Sequence, residues 1–229
     1  MTIIDNYNKI KDAINETALK CGRIPDEIKI ISVSKTFDAL IIQEAIDSGI
    51  RIFGENKIQE AKEKFPMLKG DFELHMIGHL QSNKIRDALS LFEVIHSIDK
   101  VSTALKLNNE AEKTGKTQKI LLQLKTTDEV TKNGADAAEI ISIAETIIEM
   151  KNLKLEGIMS IGPNTSEKNL IQKSFIETAK TLDIINSRLN LDLKELSMGM
   201  SGDYTIAVKE GATIVRIGSA IFGNRDYSI

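Results

Sequence analysis

Tryptophan is absent from these 229 residues, cysteine occurs once and proline three times. A lone cysteine excludes an internal disulfide and fits a reducing compartment. Cys21 falls in the first helical segment, where the pattern predicts a small buried hydrophobe rather than a nucleophile. With only Pro25, Pro66 and Pro163, and no Gly- or Ser-rich stretch, nothing divides the chain, so residues 1–229 are read as one domain. No apolar run approaches the roughly 20 residues that span a bilayer. The opening Met1-Thr2-Ile3-Ile4-Asp5 lacks a basic stretch followed by an apolar one, so no secretory signal is expected and the cytoplasm is the expected location. The net charge is only −3 and its acids and bases are interspersed, which argues against a nucleic-acid partner.

What is present is a core and a rhythm. Hydrophobic residues make up 41% of the chain and charged residues 28%, enough for one large α/β domain. After an amphipathic helix over about Ile3 to Leu19, apolar, β-branched runs alternate with helical patterns. The runs predict strands at Ile28–Ser34, Arg51–Gly54, Phe72–Ile77, Val94–Ile98, Lys119–Lys125, Leu153–Ile161, Lys194–Met198 and Thr213–Ile217. Helices are predicted between them, among them Ala137–Met150 and Ser166–Leu189, the latter capped by Ser166 with Glu167 in its first turn. Eight strands alternating with helices imply a (β/α)₈ TIM barrel with an extra N-terminal helix, and a doubly wound open sheet is the second choice.

In either fold, ligands gather at the carboxyl ends of the strands. Lys35 closes the first strand there, where a partly desolvated amine can condense with an aldehyde; the plain alternative is a lysine that snorkels to water. Ser201, Gly218 and Ser219 follow the seventh and eighth strands, where such barrels commonly hold a phosphate on backbone N–H groups. Ser201 and Asp203 also read as the start of a helix over Tyr204–Lys209. Tight turns explain each glycine equally well. Arg216 lies inside an apolar strand and needs acceptors for its hydrogen bonds, either from a ligand or from a carboxylate such as Glu55 or Glu156. Together the lysine, the phosphate cradle and the arginine suggest pyridoxal 5′-phosphate (PLP), its aldehyde on Lys35, its phosphate on Ser201, Gly218 and Ser219, and its ring nitrogen facing Arg216.

The segments Val33-Ser34-Lys35-Thr36, Phe53-Gly54-Glu55-Asn56, His75 to Lys84, Gly157-Ile158-Met159, Leu196 to Ser201 and Val215 to Gly223 resemble the YggS/PROSC family of pyridoxal phosphate homeostasis proteins. The resemblance runs from the first strand to the last. It implies a barrel like the N-terminal domain of alanine racemases, with PLP in Schiff-base linkage to Lys35 and further contacts from Asn56, Ser201, Arg216, Gly218 and Ser219. Two positions depart from the family pattern: Lys57 stands where tyrosine is usual, a second amine that could compete for the aldehyde, and Gly202 precedes Asp203.

The residues also bear on activity. Arg216 only donates hydrogen bonds, which would leave the ring nitrogen unprotonated and the ring a weak electron sink. Two-base racemisation needs a second proton carrier; in alanine racemases it is a tyrosine of an additional domain, which this chain is not expected to have. Tyr7, Tyr204 and Tyr227 are the tyrosines; Tyr204 is expected to pack locally and His79 to be a satisfied structural histidine. The expected function is therefore PLP binding and vitamin B6 homeostasis by a monomer without catalytic turnover, with delivery to PLP-dependent acceptor enzymes as a further step. The alternatives are a narrow-scope amino-acid racemase using His79 or Tyr204, and a sugar-phosphate enzyme using Lys35 as an aldolase does.

Overall fold

The structure, a computed structural model, describes residues 2–127 and 133–223. Helix α1 (Ile3–Lys20) begins with a reciprocal cap: Thr2 Oγ1 accepts from the Asp5 N–H while the Asp5 carboxylate accepts from the Thr2 N–H. It buries Ile10, Ile14 and Ala18 along one stripe. Eight strand-helix units follow. These are β1 (Lys29–Val33) and α2 (Ala39–Asp47), β2 (Ile52–Glu55) and α3 (Ile58–Lys64), β3 (Glu73–Met76) and α4 (Ile85–Leu91), and β4 (Val94–Ile98) and α5 (Val101–Thr114). The second half comprises β5 (Gln118–Leu124) and α6 (Ala137–Ile147), β6 (Leu153–Ser160) and α7 (Lys168–Leu189), β7 (Glu195–Ser197) and α8 (Tyr204–Lys209), and β8 (Ile214–Ile217) and α9 (Ser219–Phe222). All neighbouring strands are parallel, and β8 pairs with β1, so the sheet closes as β1 through β8 in order. The fold is a (β/α)₈ barrel with an added N-terminal helix; closure removes the open-sheet alternative.

Burial explains the apolar strands. Along β1, Ile30, Ile31 and Val33 are all buried, alternately against the helices and against the barrel interior. The larger core lies between sheet and helices and includes Phe53, Phe92, Phe175, Ile42 and Leu107. A smaller cluster of Ile31, Val33, Val94, Leu121, Met159 and Ile214 fills part of the barrel interior. Each such side chain, fully buried, contributes about 1.5–3 kcal/mol relative to exposure. Gly157 permits the tightest contact: a Cβ there would lie 1.9 Å from the Glu195 carbonyl oxygen on β7. No helix is long and apolar enough to cross a membrane among the described residues.

Two local expectations fail for physical reasons. Cys21 is exposed, because α1 ends at Lys20 and the cysteine serves as its C-cap, turned off the buried stripe. Ser166 does not cap α7: Glu167 is the N-cap residue, without a side-chain cap bond of its own, and Thr165 Oγ1 accepts the Glu167 N–H at 3.1 Å, delaying the helix to Lys168. Asp203 is the N-cap residue of α8, which spans Tyr204–Lys209 as expected.

Candidate functional site

The carboxyl ends of β1, β2, β3, β6, β7 and β8 open onto a cleft of about 290 Å³. Val33, Lys35, Asn56, Ile77, Ile161, Met200, Ser201, Gly202, Arg216, Gly218 and Ser219 line it. All six residues singled out from the sequence are among them, although they lie on four separate segments. Barrel closure brings them together: Ile31 pairs in register with Arg216, which sets the first and last strands side by side.

Lys35 is half-buried in the turn after β1. Its two neighbours are tied down from β2 and α3. Ser34 Oγ donates to Glu55 Oε1 at 2.7 Å, and Lys64 Nζ donates to the Ser34 carbonyl at 3.3 Å. Glu60 accepts the Thr36 N–H and also pairs with Lys64. Thr36 has φ of 72°, a left-handed conformation that a β-branched residue adopts only when its surroundings impose it. Phe37, next in the turn, stacks on Phe222 of α9 with ring centroids 5.0 Å apart. The turn bearing the amine is thus clamped on one side by a charged triad and on the other by the segment bearing Gly218 and Ser219. Sequence reading missed this clamp; the Glu60–Lys64 spacing on one helix face was the visible trace of it.

Arg216 is buried yet pairs with neither Glu55 nor Glu156, contrary to one of the two readings above. Nη1 donates to the Ser197 carbonyl at 2.6 Å and to Ser197 Oγ at 2.8 Å, and Nη2 donates to the Ser160 carbonyl at 2.8 Å. Glu55 instead serves Ser34 and Lys64, and Glu156 pairs with Lys154. Burial lowers the guanidinium pKa to about 10, with the charge of Asp203 pulling it back up, so it remains a cation at neutral pH. Among the described residues these bonds leave its Nε–H and second Nη2–H without protein acceptors, in a residue that lines the cleft. A buried cation with spare donors fits a ligand that presents an acceptor.

Ser201 is half-exposed beside the N-terminus of α9, where its Oγ accepts the Ala220 N–H at 3.4 Å. Gly218 is buried as the N-cap residue of α9 and Ser219 is exposed. Hydroxyls and peptide N–H groups at a helix start suit an anionic group. The donor set of the cleft, an amine, a guanidinium and this hydroxyl-bearing corner, is compatible with a phosphorylated aromatic aldehyde.

Other expectations place differently. His79 is exposed and lines a neighbouring cavity with Asn56, Lys57, Gln81 and Lys84, so it is neither a satisfied core histidine nor a residue of the Lys35 cleft. Lys57 is exposed in that second cavity. The two cavities meet at Asn56, whose backbone is packed so tightly on Gly78 that a Cβ there would lie 2.1 Å from the Asn56 carbonyl oxygen. Tyr204 packs on the core from α8 and does not line the cleft. Tyr227 lies outside the described residues.

Residues 6–226 match the family described as alanine racemase, N-terminal domain. The pyridoxal phosphate homeostasis protein of Vibrio alginolyticus is 38% identical over 232 residues, covering 99% of each chain. The protein of the same name from Escherichia coli K12 is 38% identical over 233 residues, covering 99% of this chain and 98% of the relative. PipY of Synechococcus elongatus, solved with PLP bound, superposes with a TM-score of 0.82 at 34% identity, covering 92% of this chain and all of that one. With relatives this similar along nearly its whole length, the chain belongs to the pyridoxal phosphate homeostasis protein family, which is built on the alanine racemase N-terminal fold.

Proposed function

We propose that this chain, as one barrel domain over residues 1–229, binds PLP reversibly and serves intracellular vitamin B6 homeostasis in the cytoplasm. Lys35 would carry the cofactor as a Schiff base. Ser201, Gly218 and Ser219 would hold the phosphate, Arg216 would face the ring nitrogen, and Asn56 would flank the ring. The observation that carries this reading is the convergence of these residues on one cleft, with two guanidinium N–H groups of Arg216 left for a ligand. When bound, PLP supplies an electrophilic aldehyde and a ring that withdraws electrons. The chain's own part is to present the Lys35 amine on a clamped turn, to hold a phosphate at the start of α9 and to keep a fixed cation at the ring edge.

Binding without turnover fits the same geometry. Among the described residues, Lys35 and Arg216 are the titratable ones lining the cleft, and neither His79 nor Tyr204 lines it. The open cleft also leaves the bound aldehyde within reach of acceptor enzymes, which suits a monomeric holder that hands on its cargo.

The test is the absorbance of the purified protein, before and after borohydride reduction, with the modified peptide mapped. Reduction should fix the cofactor on Lys35, and Lys35→Ala should lose the Schiff-base band while keeping the fold. A fully yellow Lys35→Ala protein would overturn the assignment and point to Lys57. A protein that takes up no PLP would overturn the function.

A further inference from the structure

A file of polar side chains crosses the barrel interior, which is otherwise lined largely by aliphatic groups. Arg216 Nη1 donates to Ser197 Oγ at 2.8 Å; Ser197 Oγ lies 3.0 Å from His96 Nδ1; His96 Nε2 lies 2.9 Å from His75 Nδ1; and His75 Nε2 lies 3.4 Å from Glu73 Oε2. Arg216, Ser197, His96 and His75 are all buried. The Glu73 side chain, at the amino end of β3, is 60% exposed. The file therefore starts at the ligand cleft and ends in solvent at the opposite mouth.

Its hydrogens follow from elementary bonding. A carboxylate only accepts, so a singly protonated His75 carries its hydrogen on Nε2 and donates to Glu73, which leaves its Nδ1 to accept from His96 Nε2–H. His96 Nδ1 is then bare and takes the Ser197 hydroxyl hydrogen, while Ser197 Oγ accepts from the Arg216 guanidinium, which only donates. Every bond donates in one sense, away from the cleft. His96 stays neutral, since burial above all, with the nearby cations Arg216 and Lys29, holds its pKa well below the ordinary histidine value.

We propose that Ser197, His96, His75 and Glu73 are positioning residues, a one-directional hydrogen-bond relay that fixes Arg216 at the cleft and couples it to the far mouth of the barrel. The charged groups around the file are Glu73 on β3, Lys29 on β1, Lys119 on β5, Arg216 on β8 and Asp203 at the start of α8, with Glu195 of β7 paired to Lys29. Ligand contact at Arg216 should thus be felt along the file at His75.

This inference rests on the reading that Arg216 faces the ligand, but its first test needs no ligand. The chain has three histidines, so ¹⁵N labelling of histidine gives a spectrum simple enough to assign, with exposed His79 as the reference. In the PLP-free full chain, His96 and His75 should both be Nε2–H tautomers. Ser197→Ala should weaken that preference at His96 and Ser197→Thr should restore it. Glu73→Ala, which removes a contact made only to His75, should also move the His96 resonances. Adding PLP should shift His96 and His75 in the wild type and in Ser197→Thr, but leave His75 unmoved in Ser197→Ala. A wild-type His96 protonated at Nδ1, or a Glu73→Ala effect confined to His75, would overturn the relay even if Ser197→Ala fails to fold. Absence of PLP uptake would refute the proposed function, while the tautomers in the PLP-free chain would still decide the relay.

Discussion

Glu55 is the residue whose substitution tests the clamp around Lys35 most directly. Its side chain is wholly buried; Oε1 accepts from Ser34 Oγ at 2.7 Å and lies 3.6 Å from Lys64 Nζ, and Oε2 has no hydrogen-bond partner among the described residues. Burial pushes its pKa up from the ordinary 4.5 to about 7, against the pull of Lys64 and Ser34. A carboxyl with a raised pKa binds more protons folded than unfolded between those two values. Its stabilising contribution is therefore complete below about pH 4.5 and is lost as pH rises through 7. At about 1.4 kcal/mol per pH unit the loss comes to about 3 kcal/mol. Glu55→Gln keeps the shape and removes the titration. Urea unfolding of both proteins between about pH 5 and 8, at unchanged m-value, reads the difference. Wild-type stability relative to Glu55→Gln should fall by about 2.5 kcal/mol across that window, most steeply at about pH 6, midway between the two values. Parallel stability curves would refute the reasoning, since they would mean that Glu55 is ionised throughout.

Three further outcomes are expected. Ser201→Ala should weaken PLP retention by about 1.5–3 kcal/mol, the scale of a hydrogen bond to a charged group, and pyridoxal without its phosphate should bind far more weakly; equal affinity for the two in a titration would exclude a phosphate site there. Gly157→Ala should destabilise the fold by about 3 kcal/mol or more in denaturant melts, because its Cβ would lie 1.9 Å from the Glu195 carbonyl oxygen and force β6 from β7. Exchange of the α-hydrogen of alanine or serine in heavy water should stay far below the 1–1000 per second of roughly typical enzymes; a rate in that range, lost in Lys35→Ala, would establish the racemase reading.

The strands were legible because each is buried on both faces, so its apolar residues run almost without break; β4 falls on Val94–Ile98 as predicted. Lys35 and Arg216 were legible because a charge inside or at the end of such a run needs an explanation. What the chain did not show was register. Whether Arg216 meets a carboxylate or two backbone carbonyls depends on how β6, β7 and β8 are staggered, and a one-residue slip would change every partner. The paired histidines were invisible for the same reason: each is a single polar residue in its own strand, and only the alignment of β3 with β4 joins them. The clamp on Lys35 needed the packing of α3 against the first turn. Cys21 was misplaced because helix periodicity says where a stripe points but not where the helix stops.

The pairing of β1 with β8 has a consequence for how the protein comes into being. Lys35 is made early and Arg216, Gly218 and Ser219 nearly two hundred residues later. A ribosome-bound chain therefore has the amine long before it has the rest of the cleft, and the cleft is complete only at ring closure. Asn6 of α1 then donates to the Ile221 carbonyl of α9 at 3.0 Å, fastening the first helix onto the last. In the proposed binding mode the ligand touches both β1 and β8 and would act as a staple across this seam, stabilising the closed ring by mass action.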